Sequence, residues 1–281
     1  MIIDFHTHIV PPGVKQNRER YALRDGSFAA VYADPKAKLA TAEDLIAAMD
    51  KHGIDMSVVL NYGWETLALC REVNDYILTT VAKYPKRLIG FCNAPLTGSR
   101  GLKEIERCLA AGARGVGEIR PDLLPAKNRI KLLHPVSEML KKYNGILLTH
   151  ASEPVGHVYP GKGTATPDVL MQIITAFPEL KIVCAHWGGG LPFYALMPEV
   201  KAALKNVYFD TAASSFLYRP EVYRRVIDLV GAEKILFGSD YPLLSPGRYF
   251  KEIEGLGLGA QLKSCILAEN GAVLLQRRKR D

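Results

Sequence analysis

The chain begins MIIDFHTHIVPPG, and its sixth and eighth residues are both histidine. Side chains alternate across a β-strand, so residues two apart share a face. The pattern predicts Asp4, His6 and His8 on one side and Ile3, Phe5 and Thr7 on the other. Two imidazoles about 7 Å apart along one strand face can converge on a single metal ion. With seven histidines in 281 residues, such a pair also arises by chance, so the other polar residues must decide. The candidates are Glu118 in GVGEIRP, His150 in THASE, His186 in AHWGGG and Asp240 in GSDYP. Imidazole combined with carboxylate suits zinc, manganese or iron, and no cysteine among the six argues against a closed structural zinc site.

Those six residues follow apolar runs of strand length. The runs are IIDFHTHI (2–9), MSVVLNY (56–62), RLIGFCNAP (87–95), GARGVGEIRP (112–121), GILLTHAS (145–152), KIVCAHWGG (181–189), NVYFDTAAS (206–214) and KILFGSDYP (234–242). Helical periodicity fills the gaps. TAEDLIAAMDKHG offers Thr41 as N-cap, Asp44 three residues on, and Gly53 as the stop. A long amphipathic stretch ends before Pro85, and further helices are expected at 100–111, 131–143, 167–177, 191–204, 219–230 and 260–276. Strand and helix alternate eight times over the length of one (β/α)8 barrel, so 1–281 is expected to form a single TIM-barrel domain. In such barrels chemistry sits at the C-terminal ends of the strands, where His6, His8, Glu118, His150, His186 and Asp240 all fall.

The remaining candidates carry plainer expectations. Cys184 shares the parity of His186 and is read as barrel filling. His52 ends a helix, and His134 opens one beside Pro135. His157, in the loop after strand five, is a candidate substrate contact. Arg120, two residues beyond Glu118, either neutralises that carboxylate or binds an anionic substrate group. The loops 10–40, 152–167 and 241–250 are expected to set specificity.

Composition narrows the function. Lysine and arginine exceed aspartate and glutamate by 36 to 29, a net charge of +7. The excess is spread out apart from residues 15–24 and the QRRKRD tail, which reads as a solvated end. No nucleic-acid-binding motif is present, so no nucleic-acid partner is expected. No apolar run is long enough for a membrane span and no signal peptide is visible. Five scattered cysteines without a CxxC read as reduced thiols, and the protein is expected to be cytoplasmic. A small-molecule substrate is the expected partner, and a homodimer is the assembly considered.

DFHTHI, THASE, AHWGGG and FGSDYP resemble the metal signatures of the amidohydrolase superfamily, in the branch containing aminocarboxymuconate-semialdehyde decarboxylase. NDYILTTVAKYPKRLIGFCNAP and ILAENGAVLL resemble that branch as well. The resemblance implies that His6, His8, His150 and Asp240 bind the metal. It makes His186 the catalytic residue beside the bound water, or a ligand of a second ion. Glu118 departs from the mononuclear decarboxylase pattern and resembles the TatD-type deoxyribonucleases, where a glutamate helps hold two ions. The expected reaction is metal-assisted hydrolysis of an amide, ester or lactone in a small anionic substrate. One or two ions, zinc first, activate water, and Asp240 carries the proton. Decarboxylation of an unsaturated carboxylic acid is the alternative, followed by nuclease activity.

Overall fold

A computed structural model describes residues 1–276; the expectation for the QRRKRD tail (276–281) falls, apart from Gln276, outside the described residues. Eight parallel strands run in chain order through one sheet. They are β1 (Ile3–His8), β2 (Met56–Leu60), β3 (Leu88–Cys92), β4 (Gly115–Ile119), β5 (Ile146–Thr149), β6 (Ile182–Cys184), β7 (Val207–Asp210) and β8 (Ile235–Leu236). Beyond β8 the chain continues alongside β1. Phe5 N donates to the Phe237 carbonyl at 2.7 Å, Asp240 N to that of His6 at 2.9 Å, and His8 N to that of Tyr241 at 2.8 Å. These bonds bring the last strand back against the first, as a (β/α)8 barrel requires.

Two apolar layers hold the barrel. Inward-facing Phe5, Val58, Leu60, Phe91, Leu148 and Leu236 fill its centre. Val59, Cys92, Val116, Leu147, Cys184 and Phe209 face outward against the crossover helices, meeting Val73, Ile105, Val136 and Ile173. Cys184 thus lies between sheet and helices, and Ala185 is the residue that faces the barrel centre. This corrects the expected inward parity of Cys184.

The helix Ala42–His52 starts and stops as its sequence requires: Thr41 and Asp44 form a reciprocal capping box, and Gly53 adopts the left-handed conformation at φ 67°. Its last residue, His52, meets the Ser245 hydroxyl at 3.1 Å. The expected helix 191–204 is instead a 3-10 turn, Leu191–Tyr194, followed by the helix Pro198–Ala203. Each segment has a proline in its first turn, and a proline in mid-helix would remove a hydrogen bond and clash with the preceding turn. His134 lies inside the helix Arg129–Lys142 rather than at its start, with Pro135 beside it. The short helices Pro12–Gln16, Arg18–Ala22 and Gly26–Tyr32 and the helix Pro246–Gly255 occupy loops expected to carry specificity. Among the described residues no helix is long and apolar enough to cross a membrane.

Candidate metal centre

The predicted alternation in β1 is broken at the point that matters. Ile3 pairs with Met56 and Asp4 with Ser57, but Thr7 pairs with Val59, so β1 carries one extra residue. A bulge of this kind re-aims the side chains that follow it. Phe5 therefore packs in the barrel centre, where its ring meets Phe91 edge-on, and His6 and His8 also reach the barrel mouth. Asp4 does not share their face, which corrects the simple alternation. Its Oδ1 accepts from Ser239 N at 2.9 Å and His6 N at 3.2 Å, and burial pushes its carboxyl up to about 7. A second register shift, between Val116 and Ile119, accompanies the entry of Glu118 into the site.

Five donors converge. His6 Nε2 and His8 Nε2 lie 3.1 Å apart. Asp240 Oδ1 is 3.8 Å from the first and 3.5 Å from the second. Glu118 Oε2 is 3.8 Å from His6 and 3.6 Å from His8, and its Oε1 is 3.5 Å from His186 Nε2. The donors form two groups able to hold a metal ion, His6–Glu118–His186 and His6–His8–Asp240, with the atoms of each within 4.8 Å of one another.

Asp210 orients the His6 ring and holds the His186 backbone, and was not anticipated from sequence. It ends β7, with Oδ2 2.8 Å from His6 Nδ1. The carboxylate accepts the Nδ1 proton, leaving the His6 Nε2 lone pair directed at the centre. Asp210 Oδ1 accepts from His186 N at 2.9 Å, and His186 Nδ1 donates to the Ala212 carbonyl at 3.1 Å. A Cβ on Gly238 would come within 2.8 Å of His6 Cβ and 3.3 Å of Asp210 Cβ, so only glycine leaves room for this pair. The signal was present in NVYFDTAAS, an aspartate at the end of its strand. His186 (φ 54°) and Asp240 (φ 58°) both adopt left-handed backbone, which costs a non-glycine residue on the order of 1–3 kcal/mol and concentrates at functional sites.

His150 stands one hydrogen bond away. Gly163 N donates to Ser152 Oγ at 3.1 Å, and that hydroxyl lies 3.2 Å from His150 Nε2. His150 Nδ1 donates to Glu118 Oε1 at 2.8 Å. Both nitrogens are occupied, and His150 belongs to neither metal-capable group. Arg120 does not neutralise Glu118. Its guanidinium pairs with Asp122, Nη2 to Oδ2 at 2.9 Å, while it lines the cavity. His157 is exposed and packs on Tyr159 and Phe216, which themselves line the cavity.

The electrostatics describe a site short of positive charge. Among the described residues, Glu118 and Asp240 form ion pairs with histidines alone. Burial works against a charged His6, yet Asp210, Glu118 and Asp240 raise it to about 10. His8, desolvated and facing His6, falls to about 4. Burial lowers His186 as well, but Glu118 and Asp240 outweigh it and bring it to about 9. Glu118 is pushed upward by burial and held well below the usual carboxylate range by His150, His186 and His6. The facing Nε2 atoms and the surplus of carboxylates fit a divalent cation, which would balance the charge without a proton between the rings.

Above the donors opens a cavity of about 380 Å³. Tyr62 stacks flat on His8, with centroids 4.4 Å apart at 14°, and Phe28 stacks on Trp64 at 4.7 Å. Tyr32 meets Tyr62 edge-on, and Lys36, Lys38 and Arg120 also line the space.

A family model described as Amidohydrolase matches residues 3–277. The 2-amino-3-carboxymuconate-6-semialdehyde decarboxylase of Dictyostelium discoideum is 23% identical over 311 aligned positions, covering 90% of this chain and 86% of the relative. The 6-methylsalicylic acid decarboxylase of Penicillium expansum is 26% identical over 281, covering 85% and 84%. The structure of 5-carboxyvanillate decarboxylase from Novosphingobium aromaticivorans, complexed with manganese and 4-hydroxy-3-methoxy-5-nitrobenzoic acid, superposes with a TM-score of 0.77 at 17% identity. That match covers 98% of this chain and 96% of that one. The expectation of hydrolysis is thereby corrected: these relatives are decarboxylases. The donor set did not separate the two reactions, because the same ligands serve either one.

Proposed function

The chain belongs to the amidohydrolase family, and we propose that it is a metal-dependent decarboxylase of a small, planar, unsaturated or aromatic carboxylic acid. One observation carries this reading beyond the relatives' names. His6, His8, Glu118, His186 and Asp240 converge at the floor of a cavity walled by Phe28, Tyr32, Tyr62 and Trp64. His6, His8 and Asp240 would hold a divalent ion, with His6, Glu118 and His186 as the second group able to do so and His150 beside Glu118. Manganese is the first ion to load, given the structural relative that holds it, and zinc or iron also suit these donors. When bound, the ion supplies positive charge that anchors and polarises the substrate's oxygens.

The chain's own residues do the rest. The aromatic walls hold a flat substrate over the floor and keep water from it. Asp240, having taken a proton from solvent, delivers it to the carbon that bears the carboxylate. The bond from that carbon to the carboxyl carbon then breaks, its electron pair restores the conjugated system, and carbon dioxide leaves. His186, with its Nε2 3.5 Å from Glu118 Oε1 at the cavity floor, faces the negative charge as it develops. Arg120, steadied by Asp122, is placed to bind a second anionic group of the substrate.

The test is carbon dioxide release across a panel of aromatic and unsaturated carboxylic acids. Protein stripped by a chelator is compared with protein reloaded with manganese, zinc or iron. Release that requires reloading supports the assignment. Undiminished release from protein free of metal by elemental analysis would remove the ion from the account.

A further inference from the structure

Glu118 touches both metal-capable groups, and its carboxylate is placed only as well as its backbone. The regular ladder between β4 and β5 is interrupted at this point. Two asparagines at neighbouring strand ends take over. Glu118 N donates to the Asn61 carbonyl at 2.9 Å, and Asn61 N donates to the Gly117 carbonyl at 3.1 Å. From the end of β3, Asn93 Nδ2 donates to the Glu118 carbonyl at 2.6 Å.

We propose that Asn93 is a positioning residue for the centre, setting its affinity for the metal ion by clamping the Glu118 backbone, with Asn74 holding Asn93 in place. This rests on the metal-dependent reading above. The amide orientations are forced by their partners. Asn93 Oδ1 accepts from Ala94 N at 2.8 Å, which turns its NH2 group towards Glu118. Asn74 Oδ1 accepts from Asn93 N at 3.1 Å and from Asn61 Nδ2 at 2.6 Å. Asn74 Nδ2 donates to the Asn93 carbonyl at 2.9 Å and to Glu104 Oε1 at 3.0 Å. Asn61 Oδ1 in turn accepts from Trp64 Nε1 at 3.1 Å, tying a wall of the cavity to the same network. A buried network in which every member is satisfied fixes one arrangement, and losing one donor leaves its partners unpaired.

The experiment is calorimetric titration of Mn²⁺ into the whole metal-free protein. Asn93→Ala is compared with Asn93→Asp, which keeps the shape but loses the NH2 donor, so the question survives if the alanine variant folds poorly. Asn270→Ala serves as control, because Asn270 is a buried asparagine bonded to the Ala232 and Ile235 carbonyls instead. The expected result is Mn²⁺ binding weakened by about tenfold or more in both Asn93 variants, with native circular dichroism. Asn270→Ala should lower the melting temperature and leave Mn²⁺ affinity unchanged. Asn93 variants that melt earlier but bind Mn²⁺ as the native protein does would overturn the proposal and leave the metal reading standing. A native protein that binds no Mn²⁺, zinc or iron would overturn both.

Discussion

Asp210 shows how much of a metal-capable centre depends on residues that never face the ion. Its two oxygens hold the His6 ring and the His186 backbone, and without them the His6 Nε2 lone pair has no fixed direction. Asp210→Asn places an NH2 group where an acceptor is required. We expect metal affinity to fall by about 10- to 100-fold, measured by competition with a chromophoric chelator. Unchanged affinity would mean that the His6 orientation comes from elsewhere. Asp240 has a different task, at the edge of the cavity with a carboxylate that can exchange protons. Asp240→Asn should lower the rate of carbon dioxide release by about 10²- to 10⁴-fold, with metal content measured on the same samples. A loss of only a few-fold in fully loaded protein would count against Asp240 as the proton carrier. At this scale His6, His8, Glu118, His186 and Asp240 were legible from type and strand position. Asp210 was not, because a lone aspartate at a strand end has no distinguishing partner until the fold brings His6 to it.

The elements were read well where local chemistry decides them and less well where packing does. All eight strands fall inside the expected segments, and Thr41, Asp44 and Gly53 bound their helix as anticipated. The bulge in β1 was illegible, because the extra residue appears only when Thr7 is seen to pair with Val59. The aromatic wall was also missed, since Phe28 and Tyr32 ride on a short helix whose position depends on tertiary contacts. One interaction between elements is open to direct test. Glu104, on the helix Ser99–Ala110, binds Arg107 and reaches Arg71 and Asn74 on the helix Leu67–Lys83. Burial raises its pKa, but hydrogen bonds from Arg107, Asn74 and Arg71 prevail and hold it at about 2. A carboxylate depressed in the folded state binds fewer protons there than in the unfolded chain. Its contribution is complete above about 4.5 and is lost as pH falls towards 2. Glu104→Gln should therefore reduce unfolding free energy by about 1–3 kcal/mol at pH 7. The gap from wild type should narrow in urea titrations at pH 4 and pH 3. A gap independent of pH would assign the loss to packing rather than charge.

For the molecule as a whole, eight alternations of strand and helix identified the barrel, and the barrel located the site. The reaction was harder to reach. A ring of imidazoles and carboxylates at a barrel mouth polarises a carbonyl for water or anchors a carboxylate for its loss, and its residue types are common to both. What favours decarboxylation is that the relatives are decarboxylases, and the aromatic rings beside the donors suit a flat acid. The most direct test follows solvent atoms into the product. Carboxylic acids that also carry an amide, ester or lactone are screened for consumption by metal-loaded protein in deuterated, ¹⁸O-labelled water, and the organic product is analysed by mass spectrometry. Decarboxylation predicts one deuterium on the vacated carbon, one carbon dioxide per turnover and no ¹⁸O in the organic product. An ¹⁸O atom in that product, with the carboxyl carbon retained, would contradict the account and make the protein a hydrolase.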